Sequence, residues 1–183
     1  MNELTLIIPS KYESESLPIF LKELESINCY KLVVLQKEDL ETKKSILDLQ
    51  NIEILEQTNN GYGNAIKEGI NAVKTKYCCI INADGSMDPK YLKNMLELCR
   101  ETDFVFASRY SADGGSEDDN IVTFIGNKIF SFIGRFFFKL QISDILFTYI
   151  FAKTEAFKGL NLTYSDFRIC VEIPIYVKKK NYR

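Results

Sequence analysis

Residues 77–86 read Tyr-Cys-Cys-Ile-Ile-Asn-Ala-Asp-Gly-Ser, an apolar run followed at once by oxygen-bearing side chains. The run 77–81 predicts a buried strand, and Asn82, Asp84 and the nearby Asp88 crowd its end. In open α/β sheets, ligands bind outside the carboxyl ends of the strands. Carboxylate and amide oxygens two residues apart suit Mg²⁺ or Mn²⁺ bridging to phosphates. The stretch therefore predicts a metal–diphosphate site, with an Asx-rich turn that caps the next helix as the alternative.

Strand-like and helix-like segments alternate around this stretch. Short apolar runs predict strands at 4–9, 32–35, 52–55, 77–81 and 104–107. Periodic segments between them predict helices at 16–26, 39–49, 60–73 and 89–100. Such alternation indicates an α/β fold with a mostly parallel central sheet and helices on both faces. The length of 183 residues fits one domain with a real core.

The pattern changes after Arg109. Residues 111–120 form a polar, acidic segment whose Glu117-Asp118-Asp119 run is expected to be solvated. Residues 121–140 predict a helix in which Lys128, Arg135 and Lys139 interrupt many phenylalanines, and 142–152 is apolar around Asp144. Neither segment has an uncharged run long enough to span a bilayer.

Two interpretations of the Phe-rich helix stay open at this point. It is a core helix, or it lies at a membrane interface with its basic side chains at the headgroups. The aromatic side chains concerned are Phe124, Phe130, Phe132, Phe136, Phe137, Phe138 and Phe147. We expect part of this set to be exposed and the protein to associate with anionic vesicles, whereas burial between copies would indicate a homo-oligomer.

Composition excludes several classes of function. A net charge of −2 argues against a general nucleic-acid binder. The absence of histidine excludes His-based triads and His metal ligands. None of the five cysteines belongs to a CxxC pair, which argues against a zinc site. Their odd number favours a reducing cytoplasm. Met1-Asn2-Glu3 leads straight into a strand, so no signal peptide is expected.

Two further motifs suit phosphate chemistry. Gly61-Tyr62-Gly63-Asn64-Ala65 opens a predicted helix, where a glycine pair lets backbone N–H groups meet an anion. It does not follow the first strand, so it is not the dinucleotide fingerprint. Arg109 ends the fifth predicted strand at the same sheet edge as Asp84. Arginine suits bidentate phosphate recognition, and a surface salt bridge is the alternative.

In combination, these segments resemble family 2 glycosyltransferases, and most closely the branch that makes dolichyl- or polyprenyl-phosphate sugars. The matching segments are 9–18, 61–69, 82–89 and 107–115, in the family's order and spacing. The resemblance extends over about 4–183 and is strongest before Gly115. It implies a GT-A fold that binds a nucleotide-sugar, a Mg²⁺ or Mn²⁺ ion held by a DxD-type motif, and inversion at the sugar.

The resemblance assigns the nucleotide loop unevenly. Pro9 and Glu13 match the family's Pro and Glu after the first strand, while Lys11-Tyr12 replaces the usual Tyr-Asn. After the second strand the family usually has a turn with two Asp, one of which reads the base. Residues 35–38 stand there instead, and Glu38 or Asp39 is the available substitute for the base-reading Asp. The nucleotide-binding residues implied are Pro9, Glu13, Gly61, Gly63, Asn82, Ala83 and Asp84.

The resemblance also assigns metal and catalytic residues. Asp84, Asn82 and Ser86 are the implied metal ligands, with Asn82 standing where the family has its first Asp. Asp84, Arg109 and Asp144 are the implied catalytic residues. An ionised lipid phosphate needs no general base, whereas a hydroxyl acceptor needs one. The carboxylates considered for that role are Asp144, Asp113 and Glu117.

The sequence thus predicts an inverting, metal-dependent hexosyltransferase that uses a polyprenyl phosphate at the cytoplasmic face of the membrane. A saccharide acceptor in capsule or lipopolysaccharide synthesis is the first alternative, and a non-catalytic, partner-binding relative is the second. Residues 1–183 are expected to form one catalytic domain, with a nucleotide-sugar half at 1–110 and an acceptor- and membrane-facing half at 111–183. The chain stops before the family's basic R-x-x-G-type motif, so a shortened C-terminus is expected.

Overall fold

The computed structural model describes residues 2–110 and 121–183, except for the side chains of 121–125. The segment 111–120, with Asp113, Glu117 and the acidic run, therefore lies outside the described residues, as does the side chain of Phe124. The strands are β1 Leu4–Ser10, β2 Tyr30–Leu35, β3 Ile52–Glu56, β4 Tyr77–Ile80, β5 Phe104–Phe106 and β6 Ile150–Lys153. The α-helices are α1 Ser16–Glu23, α2 Leu40–Ser45, α3 Tyr62–Ala72, α4 Leu92–Glu101, α5 Ile121–Phe138, α6 Thr154–Lys158 and α7 Ile169–Lys179.

The six strands form one sheet in the order β3-β2-β1-β4-β6-β5. The first four strands in this order are parallel, and Ile7 of β1 lies between Leu32 of β2 and Ile80 of β4. Strand β6 is antiparallel to both of its neighbours. Strand β5 consequently runs in the same direction as β4 and ends at the same edge of the sheet. The predicted α/β fold with a mostly parallel sheet is confirmed.

Helices cover both faces of this sheet. Neighbouring residues of a strand point to opposite faces, so Leu6 and Ile8 join one apolar cluster while Ile7 joins the other. The first cluster includes residues of α1 and α4, and the second includes residues of α3 and α7. The central strand β1 is buried at every position, which explains its continuous apolar run.

Helix α2 and strand β6 differ from the sequence prediction, and the short helix α6 was not predicted. Helix α2 ends at Ser45, short of the predicted 49, and Leu40 is exposed while Thr42 is buried. Thr42 faces inward because its hydroxyl accepts a hydrogen bond from the backbone N–H of Glu13 at 3.0 Å. Strand β6 was not predicted, since three of its four residues end the apolar segment 142–152 and show no period of their own. No helix in the described ranges is long and apolar enough to cross a membrane.

Candidate functional site

The loops that follow β1, β4 and β5 all leave the sheet at its carboxyl edge. They bring the predicted residues Glu13, Asp84 and Arg109 to this edge. Glu13 and Asp84 lie close enough to interact electrostatically: the pKa of Glu13 is raised chiefly by burial, and further by repulsion from Asp84 and Asp39. Positions far apart in the chain thus form one acidic edge, as the parallel topology requires.

Asp84 lies in a tight turn directly after β4. One of its carboxylate oxygens, Oδ1, accepts hydrogen bonds from the Ser86 N–H at 3.0 Å and the Ser86 hydroxyl at 2.6 Å. Gly85 has a φ of 80°, a conformation that L side chains rarely adopt, so this turn requires glycine. Asp88 caps the next helical turn by accepting from the Lys90 N–H at 2.9 Å. The predicted Asx turn is therefore present, and it holds an exposed Asp84 carboxylate at the sheet edge.

The donor set at Asp84 fits a cation that arrives together with phosphate. Among residues 2–110 and 121–183, no group of three or more His, Cys, Asp or Glu side chains is arranged to hold a metal ion by itself. Magnesium-type ions are commonly bound through one or two carboxylates, with water and substrate phosphates completing the shell. Asp84 with the hydroxyl of Ser86 matches that minimal protein contribution.

Asn82 belongs to a polar cluster that the sequence did not reveal. Its side-chain carbonyl accepts from the Tyr62 hydroxyl at 3.2 Å, and the same hydroxyl lies 2.7 Å from that of Thr148. The ring of Tyr62 stacks on Phe167, with centroids 4.6 Å apart. Burial raises the pKa of Tyr62 well above its ordinary value, so the phenol keeps its proton. The Asn82 oxygen that would bind a cation faces Tyr62 here, and its metal role stays a prediction.

The glycine pair at the start of α3 accommodates another part of the chain. The N–H groups of Gly63 and Asn64 donate to the carbonyl of Ser165 at 2.9 and 3.3 Å. A Cβ atom added to Gly61 would lie 2.3 Å from that carbonyl oxygen, and one on Gly63 would lie 2.6 Å from the carbonyl oxygen of Tyr164. The expectation that the helix start presents these N–H groups to an anion is thereby corrected, because a protein carbonyl occupies them. Contact of the two glycines with a nucleotide through other atoms stays a prediction.

A buried carboxylate in α7 fixes the segment that covers α3. Glu172 accepts from the Thr163 N–H at 2.8 Å, the Thr163 hydroxyl at 2.5 Å and the Tyr164 N–H at 3.1 Å. It is only 4% exposed. A buried charge is retained when several donors compensate its desolvation. Glu172 therefore anchors the backbone that reaches Gly63 and, through Phe167, the ring of Tyr62.

Arg109 and Asp144 form a bidentate ion pair. The Arg109 Nε and Nη2 atoms lie 2.8 and 3.0 Å from the two oxygens of Asp144. The Asp144 side chain is 0% exposed and that of Arg109 is 18% exposed. The guanidinium also lies over the ring of Phe147, 4.9 Å from its centroid. The salt bridge given as the alternative for Arg109 is therefore present, but it is largely buried rather than at the surface.

This pairing changes the interpretation of Asp144. Both of its oxygens accept from Arg109, and solvent does not reach them. Asp144 is therefore corrected from a general-base candidate to a residue that orients Arg109. A direct role for Arg109 in the reaction stays a prediction.

The loop after β1 is braced by Asp39. The Asp39 carboxylate accepts from the Tyr12 N–H at 2.6 Å and from the Thr42 N–H at 3.2 Å, and it is buried. It acts as the cap of α2 and as a loop anchor, so it is not exposed to read a base. The Tyr12 side chain is exposed, and its φ of 56° is unusual for a residue other than glycine. The sequence alone assigned no binding role to Tyr12. Its position next to Glu13 was the one signal available for such a role.

The cysteines take no part in this chemistry. All five are free and buried. Burial raises the pKa of the Cys78 and Cys170 thiols to about 12, so neither is ionised near neutral pH. In this environment they pack as small apolar residues.

Comparison with known proteins identifies a family that the chain matches. The family model described as Glycosyl transferase family 2 matches residues 5–160. An uncharacterized glycosyltransferase of Mycobacterium tuberculosis is 28% identical over 111 residues, which are 60% of this chain and 50% of that protein. A counterpart in Mycobacterium bovis matches to the same extent. The chain thus spans half the length of the curated relatives it matches.

Solved structures share the fold at low sequence identity. Mannosyl-3-phosphoglycerate synthase from Rubrobacter xylanophilus has a TM-score of 0.65 at 18% identity, over 84% of this chain and 54% of that one. Glucosyl-3-phosphoglycerate synthase from Mycobacterium tuberculosis, crystallised with Mn²⁺, UDP and phosphoglyceric acid, has a TM-score of 0.67 at 11% identity. That match covers 97% of this chain and 64% of the other. Both matches support the GT-A-type fold.

Proposed function

Since this chain belongs to glycosyl transferase family 2, we propose that it is an inverting, metal-dependent glycosyltransferase that takes a hexose from a nucleotide-sugar. The observation that carries the proposal is the exposed Asp84 carboxylate, held by the Ser86 turn at the carboxyl edge of the parallel sheet. This is the position at which open α/β sheets bind ligands.

The residues around Asp84 have distinct proposed roles. Asp84 and Ser86 offer oxygens to Mg²⁺ or Mn²⁺, which supplies positive charge for the diphosphate leaving group when bound. Pro9 and Glu13 border the nucleotide, and the ring of the exposed Tyr12 offers the base a face for stacking. Arg109 is kept in one orientation by Asp144, so any hydrogen bond it makes to the diphosphate needs little reorganisation.

An acceptor that is already ionised fits the described carboxylates best. Asp144 is paired with Arg109, Asp39 is buried with both oxygens bonded, and Glu13 accepts a hydrogen bond from the Ser10 hydroxyl. Asp144 and Asp39 are therefore not poised to remove a proton from a sugar hydroxyl. A phosphate monoester carries at least one negative oxygen near neutral pH and attacks without a base. We therefore propose a phosphate-bearing acceptor, with a polyprenyl phosphate as the first candidate.

One assay can distinguish other acceptors and a non-catalytic role. The similar solved structures are of enzymes named as synthases of a glycosyl-3-phosphoglycerate, so phosphoglycerate is an alternative acceptor. A saccharide acceptor is another, and it would need a carboxylate base. A non-catalytic relative would bind a partner without consuming any donor. Each alternative gives a different product pattern in a single assay.

The assay supplies UDP-glucose or GDP-mannose with Mn²⁺ and one of three acceptors: a short polyprenyl phosphate in detergent, 3-phosphoglycerate or a disaccharide. Mass spectrometry follows the glycosylated acceptor and the released nucleoside diphosphate. We expect product with the polyprenyl phosphate, its loss in Asp84→Ala, and its retention in Asp48→Ala, which removes an exposed carboxylate outside the site. Product with 3-phosphoglycerate or the disaccharide alone would reassign the acceptor. Absence of any donor consumption would overturn the proposed activity.

A further inference from the structure

Helix α5 turns its regular apolar face away from the protein. Ile129, Phe132, Ile133, Phe136 and Phe137 follow the i, i+3, i+4, i+7, i+8 spacing that places side chains on one face of a helix. Each of the five is between 38% and 69% exposed. We call them the outer stripe. In a globular protein such a stripe usually packs on the core, so its exposure here requires an explanation.

The opposite face of α5 makes the contacts with the rest of the chain. Ser131 is 1% exposed, and its hydroxyl accepts from the Ile145 N–H at 3.2 Å. Gly134 is buried, and a Cβ atom added there would lie 2.8 Å from the Cδ1 atom of Ile145. Small residues let the helix approach this neighbour closely. Phe147, in contrast, is buried beside Arg109 and belongs to the site.

Positive charge flanks the outer stripe. Lys128 and Arg135 are seven residues apart, so they differ by only about 20° around the helix axis. Both are exposed, and Lys139 follows directly after the helix. The sequence from 121 to 140 contains no acidic residue, although the whole chain has a net charge of −2. The stripe is therefore the apolar half of a basic amphipathic helix.

We propose that the outer stripe of α5 docks on an anionic lipid surface, with the helix lying flat in the interfacial region. Apolar rings that enter the acyl boundary, beside cations at the headgroups, are the physical requirement for such binding. A second copy of the chain is a poorer occupant, because it would bring Lys128 and Arg135 towards an equally basic helix. Charge complementarity thus selects lipid over self-association.

The site lies next to this surface. The Asn127 side-chain amide donates to the Tyr110 hydroxyl at 2.9 Å, and the Lys128 ammonium lies 4.9 Å from the centroid of the Tyr110 ring. The Arg109 guanidinium lies 5.4 Å from the same centroid. A lipid-linked phosphate held at the outer stripe would therefore be separated from Arg109 by about the width of α5, roughly 10 Å. This consequence rests on the proposed function, whereas lipid docking itself does not.

Vesicle flotation of the 183-residue chain tests the docking. The probes are phosphatidylcholine vesicles with and without phosphatidylglycerol. Phe132→Gln with Phe136→Gln removes two stacked outer rings, and Lys128→Gln with Arg135→Gln removes the flanking charge. Leu47→Gln with Leu98→Gln is the matched control, because these side chains are exposed apolar residues outside α5.

We expect binding to the anionic vesicles, a loss of about tenfold per ring in the aromatic variant, and a weaker, salt-sensitive loss in the charge variant. The control should bind like the wild type. Equal flotation of the wild type and the aromatic variant would overturn the proposal. So would a concentration-dependent dimer in sedimentation that the aromatic variant dissociates while vesicles bind neither protein. Binding of UDP with Mn²⁺, measured in parallel, separates failure of docking from failure of the proposed activity.

Discussion

Substituting Arg109 and substituting Asp144 are expected to lower the free energy of unfolding by different amounts. Arg109→Met leaves a carboxylate that is 0% exposed without its bidentate partner. Asp144→Asn leaves a guanidinium whose side chain is 18% exposed and lies at the sheet edge. A stranded charge costs more where water cannot reach it. The arginine substitution should therefore be the more destabilising one.

The magnitudes follow from burial and from the hydrogen bonds. Removing one partner of a buried ion pair costs about 3–5 kcal/mol, and we expect Arg109→Met to fall in that range. Asp144→Asn keeps one acceptor and leaves the guanidinium near solvent, so we expect a loss of about 2 kcal/mol. The double variant Arg109→Met with Asp144→Leu removes both charges, so its loss should be well below the sum of the single losses.

Urea unfolding monitored by circular dichroism gives the three free-energy changes at matched m-values. The coupling energy of the double-mutant cycle should be at least about 2 kcal/mol. Additive single effects would refute the reasoning, and so would an Asp144→Asn loss larger than that of Arg109→Met. Lys43→Met is the matched control, because Lys43 pairs with Glu56 where both side chains are well exposed. It should cost no more than about 1 kcal/mol.

Three further perturbations test other parts of the structure. Gly63→Ala should destabilise the fold by about 1–3 kcal/mol because its Cβ would press on the carbonyl oxygen of Tyr164. Gly126→Ala, whose Cβ would have no described atom within 4 Å, should stabilise the fold by about 0.5–1 kcal/mol. Urea unfolding of both variants checks the difference. Glu172→Gln should cost about 2 kcal/mol by the same measurement, because one amide oxygen replaces a carboxylate that accepts three hydrogen bonds. Glu13→Gln should raise the Tm relative to the wild type at about pH 7 but not at about pH 4. Burial raises the pKa of Glu13 in the folded chain, so the wild type loses stability as the pH rises from the unfolded-state pKa through the folded-state pKa, and the amide does not. An equal Tm difference at both pH values would contradict this sign.

The sequence predicts the parallel part of the fold well for a physical reason. Strands β1, β2 and β4 are covered on both faces, so each appears as a continuous apolar run. Strand β6 is equally apolar, but its antiparallel pairing with β4 and β5 depends on contacts far along the chain. Local periodicity carries no signal for such a pairing.

In the candidate site, too, local features were predictable from the sequence and long-range contacts were not. Asp84 was predicted because motif and strand end coincide in one short segment. The pairing of Arg109 with Asp144 joins positions 35 residues apart, and the contact of Gly63 with Ser165 joins the two halves of the chain. Residue types alone indicated that Arg109 and Gly63 suit anions, and the fold gives both of them protein partners.

Helix α5 illustrates a third case. Its apolar spacing was visible in the sequence and predicted a helix, which the structure confirms. Periodicity does not state which face meets the core, because a lipid surface and a protein interior select the same apolar side chains. The exposure expected for part of the phenylalanine set is confirmed for Phe130, Phe132, Phe136, Phe137 and Phe138, and Phe147 is buried. Vesicle association itself stays a prediction.

The most direct test of the central claim is a calorimetric titration of nucleoside diphosphates into the chain, with UDP and GDP in parallel, each with and without Mn²⁺. We expect at least one of the two nucleotides to bind in the presence of Mn²⁺. Asp84→Ala should weaken that binding by at least about tenfold, and Asp48→Ala should leave it unchanged. Equal Mn²⁺-dependent affinity in Asp84→Ala and the wild type would contradict the assignment of the metal–diphosphate site to Asp84.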